Sequence, residues 1–155
     1  MNNTIRVRNR QRAQPVNSRL LGKITHLLLV ELLGADSIDL GVYLIAAPEM
    51  TRLNESFLRH QGSTDVLAFD YTEVPRRKAL CGEIFICVDE TKIQARRFQT
   101  TWQSELVRCL VHGVLHLRGY DDHRPASRRK MKREENRLLK ALDGMYAFSA
   151  LNRRK

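Results

Sequence analysis

The segment at residues 111–123, VHGVLHLRGYDDH, constrains the fold of this chain more than any other part of the sequence. It lies at the end of an apolar run whose spacing predicts a helix over residues 104–117, and Gly119 is positioned to end that helix. His112 and His116 are four residues apart, so both imidazoles leave the same helix face one turn apart. The fold must therefore either open that face to a cleft or bury two histidines in the core of the protein.

Two imidazoles at this spacing can bind one metal ion, and a third ligand can follow the turn at Gly119. Asp122 lies ten residues after His112 and His123 lies eleven residues after it, so both are candidates. We favour Asp122, because the pattern HxxxHxxGxxD fits the turn and adjacent residues point in different directions. Three protein ligands leave a fourth tetrahedral position for water, which is typical of a catalytic zinc site.

The residue directly after the first histidine bears on the kind of enzyme. Zinc peptidases with the HExxH motif carry a glutamate there as general base. Gly113 occupies that position, which weighs against a peptidase. Glu105 can face the same side of the helix and hold an imidazole N–H, although a solvated carboxylate is an equally good interpretation. The role of Arg108, one turn before His112, is also open.

Hydrophobic periodicity predicts four strands and five helices in the order β-α-β-α-β-β-α-α-α. The strands are expected at residues 4–8, 37–46, 66–69 and 82–88. The helices are expected from Asn17 or Ser18 to Leu33, from Pro48 onward, and at 90–98, 104–117 and 126–142. This order predicts an α+β fold with one mixed sheet of about four strands and packed helices, forming a single small domain over residues 1–155.

The net charge of +10 suggests a polyanionic partner, although a basic protein without such a partner is the plainer interpretation. Residues 1–23 contain six basic and no acidic side chains, and residues 118–155 contain twelve basic and five acidic ones. If the fold brings the two ends together, they form one basic surface suited to a phosphate backbone.

Cysteine content and hydropathy address the compartment. The three cysteines form no CxxC pair and are odd in number, which favours a reducing compartment such as the cytoplasm. No apolar stretch approaches the 18 residues of a membrane-spanning helix.

Three further features near the predicted histidine helix have two possible interpretations each: two aromatic residues, a basic run and one aspartate. We expect Phe98 and Trp102 to pack in the core rather than to stack on nucleobases. The basic run at residues 128–133 is either a solvated helix face or a phosphate contact. Asp65 is expected to fix the turn before the third strand rather than to face the cleft.

Three segments together resemble the YbeY family of rRNA maturation endoribonucleases. VHGVLHLRGYDDH resembles the signature of the family, and LNESFLRHQGSTDVLAFDY at residues 53–71 resembles its LNxx-aromatic and TDVLSF block. CGEIFICVDE at residues 81–90 resembles its G-D-I-x-I strand. These segments follow one another in the order and spacing of the family.

The chain also departs from the family pattern. The third metal ligand is usually histidine in the family, whereas Asp122 stands there in this chain, as an aspartate does in some members. Leu58 replaces a frequent arginine, with Arg59 one position later and able to reach a phosphate. Glu83 and Ala68 replace the usual aspartate and serine of the two strand motifs.

The resemblance implies a zinc-dependent endoribonuclease for single-stranded RNA, with a zincin-like fold and one zinc ion per chain held by His112, His116 and Asp122. It implies a role in maturation of the 3′ end of small-subunit (16S) rRNA and in ribosome quality control. The implied partners are ribosomal RNA and the small ribosomal subunit with its proteins, and the chain is expected to be a monomer. The nucleophile, either water or the 2′-OH of the substrate, and the general base stay open. The alternatives are a zincin-like peptidase or other metallohydrolase, and a ribosome-assembly protein that binds RNA without cutting it.

Overall fold

The computed structural model describes residues 3–57, 62–73 and 78–152. Four strands form one sheet: β1 (Asn3–Asn9), β2 (Ser37–Ile45), β3 (Val66–Asp70) and β4 (Ala79–Cys87). The helices are α1 (Ser18–His26), α2 (Ala47–Phe57), α3 (Val88–Phe98), α4 (Trp102–Leu117) and α5 (Pro125–Asp143). A π-helical turn (Leu27–Leu32) extends α1, and a 3₁₀ turn (Phe148–Leu151) follows α5. Arg59 and the residues after Asn152 lie outside the described residues.

The sheet is mixed and has the strand order β1-β2-β4-β3. β1 pairs with β2, and β2 with β4, in parallel, whereas β3 runs antiparallel to β4 and forms one edge. Side chains alternate between the two faces of a strand, so Ile38, Leu40, Val42 and Leu44 all point into the main core. The predicted α+β class with one mixed sheet of four strands is confirmed.

The first helix shows where local signals were sufficient. Asn17 rather than Ser18 caps α1, because its side chain accepts the backbone N–H of Leu20 at 3.1 Å. Gly34 ends the helical segment with a positive φ of 65°, as expected. The sequence did not reveal the π-helical turn within this helix or the 3₁₀ turn. The 3₁₀ turn buries Phe148 and Leu151, and the Leu151 carbonyl accepts the Asn17 N–H at 2.8 Å.

α4 is the central helix and packs against α3, α5, β3 and β4. Leu106, Leu110, Val114 and other apolar residues of α4 are fully buried. Gly113 faces the sheet so closely that a β-carbon there would lie 2.9 Å from Cγ2 of Ile84. The helix therefore lies directly on β4, and the two histidines leave the adjacent face of the helix, beside β3.

The prediction for the two aromatics near this helix was half correct. Trp102 is partly buried and packs against the main core. Phe98 does not belong to the core, because it is the last residue of α3 and stays 61% exposed.

No helix among the described residues combines the length and the apolar character required to span a bilayer.

We expect Gly22→Ala and Gly113→Ala to change stability in opposite directions. Both glycines are helical, but a β-carbon at Gly22 meets only Val7 at an ordinary 3.8 Å. Gly22→Ala should raise the free energy of unfolding by about 0.5–1 kcal/mol through helix propensity. Gly113→Ala should lower it by about 1 kcal/mol, because overpacking against Ile84 outweighs the same gain. Chemical denaturation measures both values, and stabilisation by both variants would contradict the close packing of α4.

Candidate metal centre

The geometry of α4 brings the two histidines together. The side chain of Thr101 caps the helix by accepting the Ser104 N–H at 3.1 Å. One turn of helix separates His112 from His116, and their ring centroids lie 4.6 Å apart at an interplanar angle of 80°. The two Nε2 atoms are 3.1 Å apart. Both imidazoles are half-buried and open onto the same cleft.

The turn after α4 brings Asp122 to the same point. Gly119 adopts a φ of 94°, and its N–H donates to the His116 carbonyl at 3.0 Å, which reverses the chain. Asp122 Oδ2 then lies 3.8 Å from His112 Nε2 and 3.7 Å from His116 Nε2. The ligand atoms of the three residues all lie within 4.8 Å of one another. His123 is exposed, and its backbone N–H donates to Asp121 Oδ1 at 3.0 Å, so it lies outside this group.

The second nitrogen of each ring has a hydrogen-bond acceptor, which determines the tautomers. His112 Nδ1 lies 2.9 Å from Glu135 Oε2, and His116 Nδ1 lies 3.1 Å from the carbonyl oxygen of Tyr120. A carboxylate and a carbonyl only accept, so both Nδ1 atoms donate. In the neutral rings, two Nε2 lone pairs therefore converge beside the carboxylate of Asp122. The two Nε2 lone pairs and the carboxylate repel one another when nothing lies between them. A divalent cation such as zinc fits this donor set, because all three groups can coordinate it.

Glu135 on α5 is the partner of His112 that the sequence analysis missed. Burial raises the pKa of its carboxyl, but hydrogen bonds from His112 and Arg108 outweigh this effect and lower the pKa to about 2. Lys132 adds a third contact at 3.4 Å. A signal was present, since Glu135 lies at i+4 from Met131 and i−3 from Leu138, within the apolar stripe of α5. A carboxylate within such a stripe requires a buried partner.

The two imidazoles respond differently to their surroundings. Burial lowers the pKa of His112, but the hydrogen bond and the charge of Glu135 outweigh burial and raise the pKa overall. Burial and the neighbouring His112 lower the pKa of His116. Without a cation, the His112 ring therefore binds a proton more readily than the His116 ring does. Metal binding requires both rings to be neutral, so a cation competes with a proton chiefly at His112.

Neither interpretation of Glu105 was correct. Its carboxylate is buried, accepts the Thr100 hydroxyl at 3.0 Å and lies 3.8 Å from Arg108 Nε. It is therefore neither a solvated group nor a partner of His112. Arg108 donates to Glu135 at 2.8 Å and to Asn136 Oδ1 at 3.1 Å, which links α4 to α5.

The cleft around the histidines has two recesses that meet at the candidate metal site. One recess, of about 320 Å³, extends between α3, α4 and α5. The other, of about 490 Å³, lies beside the edge strand β3. His112, Asp122 and Asp65 line both. Asp65 thus faces the cleft as well as supporting the strand start, where its carbonyl accepts the Cys87 N–H at 2.9 Å.

The chain as a whole is similar to known proteins of one family. A family model described as Endoribonuclease YbeY matches residues 6–143. The curated Endoribonuclease YbeY of Chlorobium phaeovibrioides is 34% identical over 139 residues, which cover 90% of each chain. That of Chlorobium luteolum is 36% identical over 109 residues, covering 70% of this chain and 77% of the relative.

A solved structure supports the architecture. The solution structure of TM1509 from Thermotoga maritima superimposes with a TM-score of 0.67 and 24% identity, and the match covers 98% of this chain and 97% of that one. At this level of identity the likeness concerns the fold alone.

We expect Glu135→Gln to weaken binding of added zinc by about 10- to 100-fold, because the amide no longer holds His112 with a charged acceptor. Glu134→Gln is the matched control, since the adjacent Glu134 pairs with Arg137 on the outer side of α5. Competition with a chromophoric chelator measures both affinities, and thermal unfolding verifies that both variants fold. Equal zinc affinity in the two variants would contradict the assigned role of Glu135.

Proposed function

This chain belongs to the YbeY family of endoribonucleases, and we propose that residues 1–155 act as one metal-dependent domain that cleaves single-stranded RNA. The observation that carries the proposal is the convergence of His112, His116 and Asp122, whose ligand atoms lie within 4.8 Å of one another in an open cleft. The names of the curated relatives support the reaction class, which is hydrolysis within an RNA chain.

In the proposed site, His112 and His116 bind one zinc ion through Nε2, and Asp122 binds it through a carboxylate oxygen. The imidazole-rich set favours zinc over harder cations. When bound, zinc supplies Lewis acidity toward a phosphoryl oxygen or a water molecule. Glu135 and the Tyr120 carbonyl hold the Nδ1 protons, so each ring keeps the tautomer and the orientation that ligation needs.

Cationic side chains of α5 provide the complement to RNA phosphates. Arg128 and Lys132 lie one turn apart on α5 and both line the recess beside His112. None of the six basic residues of the N-terminal segment lines either recess of the cleft, and two of them are paired, Arg6 with Asp39 at 3.0 Å and Arg10 with Glu49 at 2.7 Å. We therefore propose that α5 binds phosphate at the cleft, the second of the two interpretations of its basic run.

Gly113 argues against the peptidase alternative. Its α-carbon faces Ile84 on the sheet, so a glutamate at this position has no room and points away from the cleft. The chain thus lacks both the general base of HExxH peptidases and a place for it.

The biological setting that we propose is maturation of the 3′ end of small-subunit rRNA and ribosome quality control. The substrate is then ribosomal RNA, with the small subunit and its proteins as partners and the chain as a monomer. A cytoplasmic location accords with Cys81, Cys87 and Cys109, which are all free thiols.

Asp122→Ala and His123→Ala discriminate between the two candidate third ligands. We expect protein purified without added metal to hold about one zinc per chain, and Asp122→Ala to lose most of it. Cleavage of single-stranded RNA by Asp122→Ala should fall at least about 100-fold, because the loss of the Lewis acid removes several kcal/mol of transition-state stabilisation. Elemental analysis and a cleavage assay measure both effects.

His123→Ala should retain zinc and activity, since this side chain lies outside the cluster. The reverse result would make His123 the ligand. Cleavage that persists in both variants and in His116→Ala would identify a contaminating nuclease and reject the proposed function. RNA binding without any cleavage would favour the ribosome-assembly alternative.

We expect Arg128→Gln to reduce the salt dependence of RNA binding. Each phosphate contact to a single strand contributes roughly 0.7 to the slope of log K against log salt. Arg128→Gln should lower the slope by about that amount, whereas Lys140→Gln, in the last turn of the same helix and outside the recess, should leave it unchanged. Fluorescence anisotropy at several salt concentrations measures the slopes, and identical slopes for both variants would exclude Arg128 as a phosphate contact.

A further inference from the structure

The recess between α3, α4 and α5 adjoins the proposed metal site but contains groups that metal binding does not use. We call it the α3–α5 recess, and its walls include Phe98 and Gln94 of α3, Arg128 and Met131 of α5, and His112 of α4. It measures about 320 Å³ and opens to solvent. An RNA strand that crosses the histidines can place a neighbouring nucleotide in this recess, which adjoins them.

Phe98 gives the recess an aromatic wall. Its ring is 61% exposed, whereas Met131 and Cys109, which also line the recess, are buried. Gln94 precedes Phe98 by one helical turn, so its amide group and the Phe98 ring lie on the same face of α3. A flat apolar ring next to an amide that both donates and accepts is the combination that binds a nucleobase by its face and by its edge.

The charges around the recess fit the same ligand. Arg128 and Lys132 are cationic, and Lys132 also lies 3.4 Å from Glu135. Two of the acidic residues in the wall are paired with groups of α4 and the segment before it. Glu105 is held by Thr100 and Arg108, and Glu135 by Arg108 and His112. Asp122 and Asp65 remain toward the histidines, on the side where the proposed cation binds. In this recess, Arg128 and Lys132 can therefore bind a phosphate and the Phe98 ring can stack on a base.

We infer that the α3–α5 recess is a nucleobase subsite of the cleft, in which Phe98 stacks on the base of a nucleotide next to the cleaved bond. Gln94 hydrogen-bonds the edge of that base, and Arg128 and Lys132 hold the adjoining phosphate. The inference rests on the proposed function, since it places single-stranded RNA in the cleft. It also predicts a preference for single strands, because a base in a duplex has no free face on which the ring can stack.

The test compares Phe98→Ala with Ile93→Ala. Ile93 is a 42% exposed apolar residue of the same helix that does not line the recess, so it controls for the loss of exposed apolar surface. Phe98→Ala should weaken binding of short single-stranded RNA by about 5- to 150-fold, the range expected for the loss of one stacked base. It should raise KM and leave kcat unchanged, because stacking is equal in the ground state and the transition state. Ile93→Ala should change neither, and Phe98→Trp should retain affinity.

A spectroscopic arm reports stacking without cleavage. RNA oligonucleotides with 2-aminopurine at successive positions are mixed rapidly with the full-length protein, and fluorescence is followed within the first turnover. We expect quenching at one position, its loss in Phe98→Ala and its retention in Phe98→Trp and Ile93→Ala. An abasic nucleotide at that position should weaken binding to the wild-type protein but have little effect in Phe98→Ala.

The outcomes separate the subsite from the proposed function. If the wild-type protein cleaves RNA in a His116-dependent manner but Phe98→Ala and Ile93→Ala bind alike, the subsite is rejected and the function stands. If Phe98→Ala weakens normal and abasic RNA equally, its effect is not stacking and the subsite is also rejected. If the wild-type protein neither binds nor cleaves RNA, both proposals fail. Thermal unfolding of each variant verifies folding, which the exposure of Phe98 should preserve.

Discussion

The close approach of α4 to the sheet is the contact on which the cleft depends. Gly113 on the helix faces Ile84 on β4, and Gly82 on β4 faces Leu117 near the end of the helix. Without β-carbons at these two positions, the helix lies directly on the strand. Because successive side chains on a helix are about 100° apart, His112 lies about 100° and His116 about 60° from Gly113 around the helix axis. Pressing Gly113 against β4 therefore places both imidazoles beside the sheet, next to the start of β3. The same packing that fills the core therefore directs the two imidazoles into solvent-accessible space.

A buried polar network then sets the position of α5. Glu135 accepts hydrogen bonds from Arg108 and His112 of α4, so one carboxylate joins the two helices at the edge of the cleft. A buried carboxylate is costly unless all its partners are present, and for this reason the network specifies one arrangement of α4 and α5 rather than adding much net stability. Arg128 and Lys132 lie on the same side of α5 as Glu135, so this arrangement also orients them toward the recess. Metal binding and phosphate binding thus share one structural support.

The missed site features depend on which side of each helix is buried and where each helix ends. Glu135 lies 23 residues after His112 and was not among the residues predicted for the site. Glu105 was expected beside His112 or in solvent, but Thr100 and Arg108 hold it in the interior. Phe98 was expected in the core, yet α3 ends at that residue and leaves its ring in the cleft. Each of these outcomes depends on how one helix is rotated against its neighbour, which hydrophobic periodicity determines only to within a residue or two.

What the sequence alone determined was local. Periodicity located every strand and α-helix to within a few residues, because 3.6- and 2-residue repeats record which face is buried. The distance between His112 and His116 also followed from the sequence, since one helical turn separates them in any helix, and Gly119 determined where the chain turns toward Asp122. Tertiary structure decided the rest: the strand order, the partner of each Nδ1 proton and the side chains that line the cleft. These features result from the packing of elements that are remote in sequence, where the balance of many weak contacts selects one arrangement.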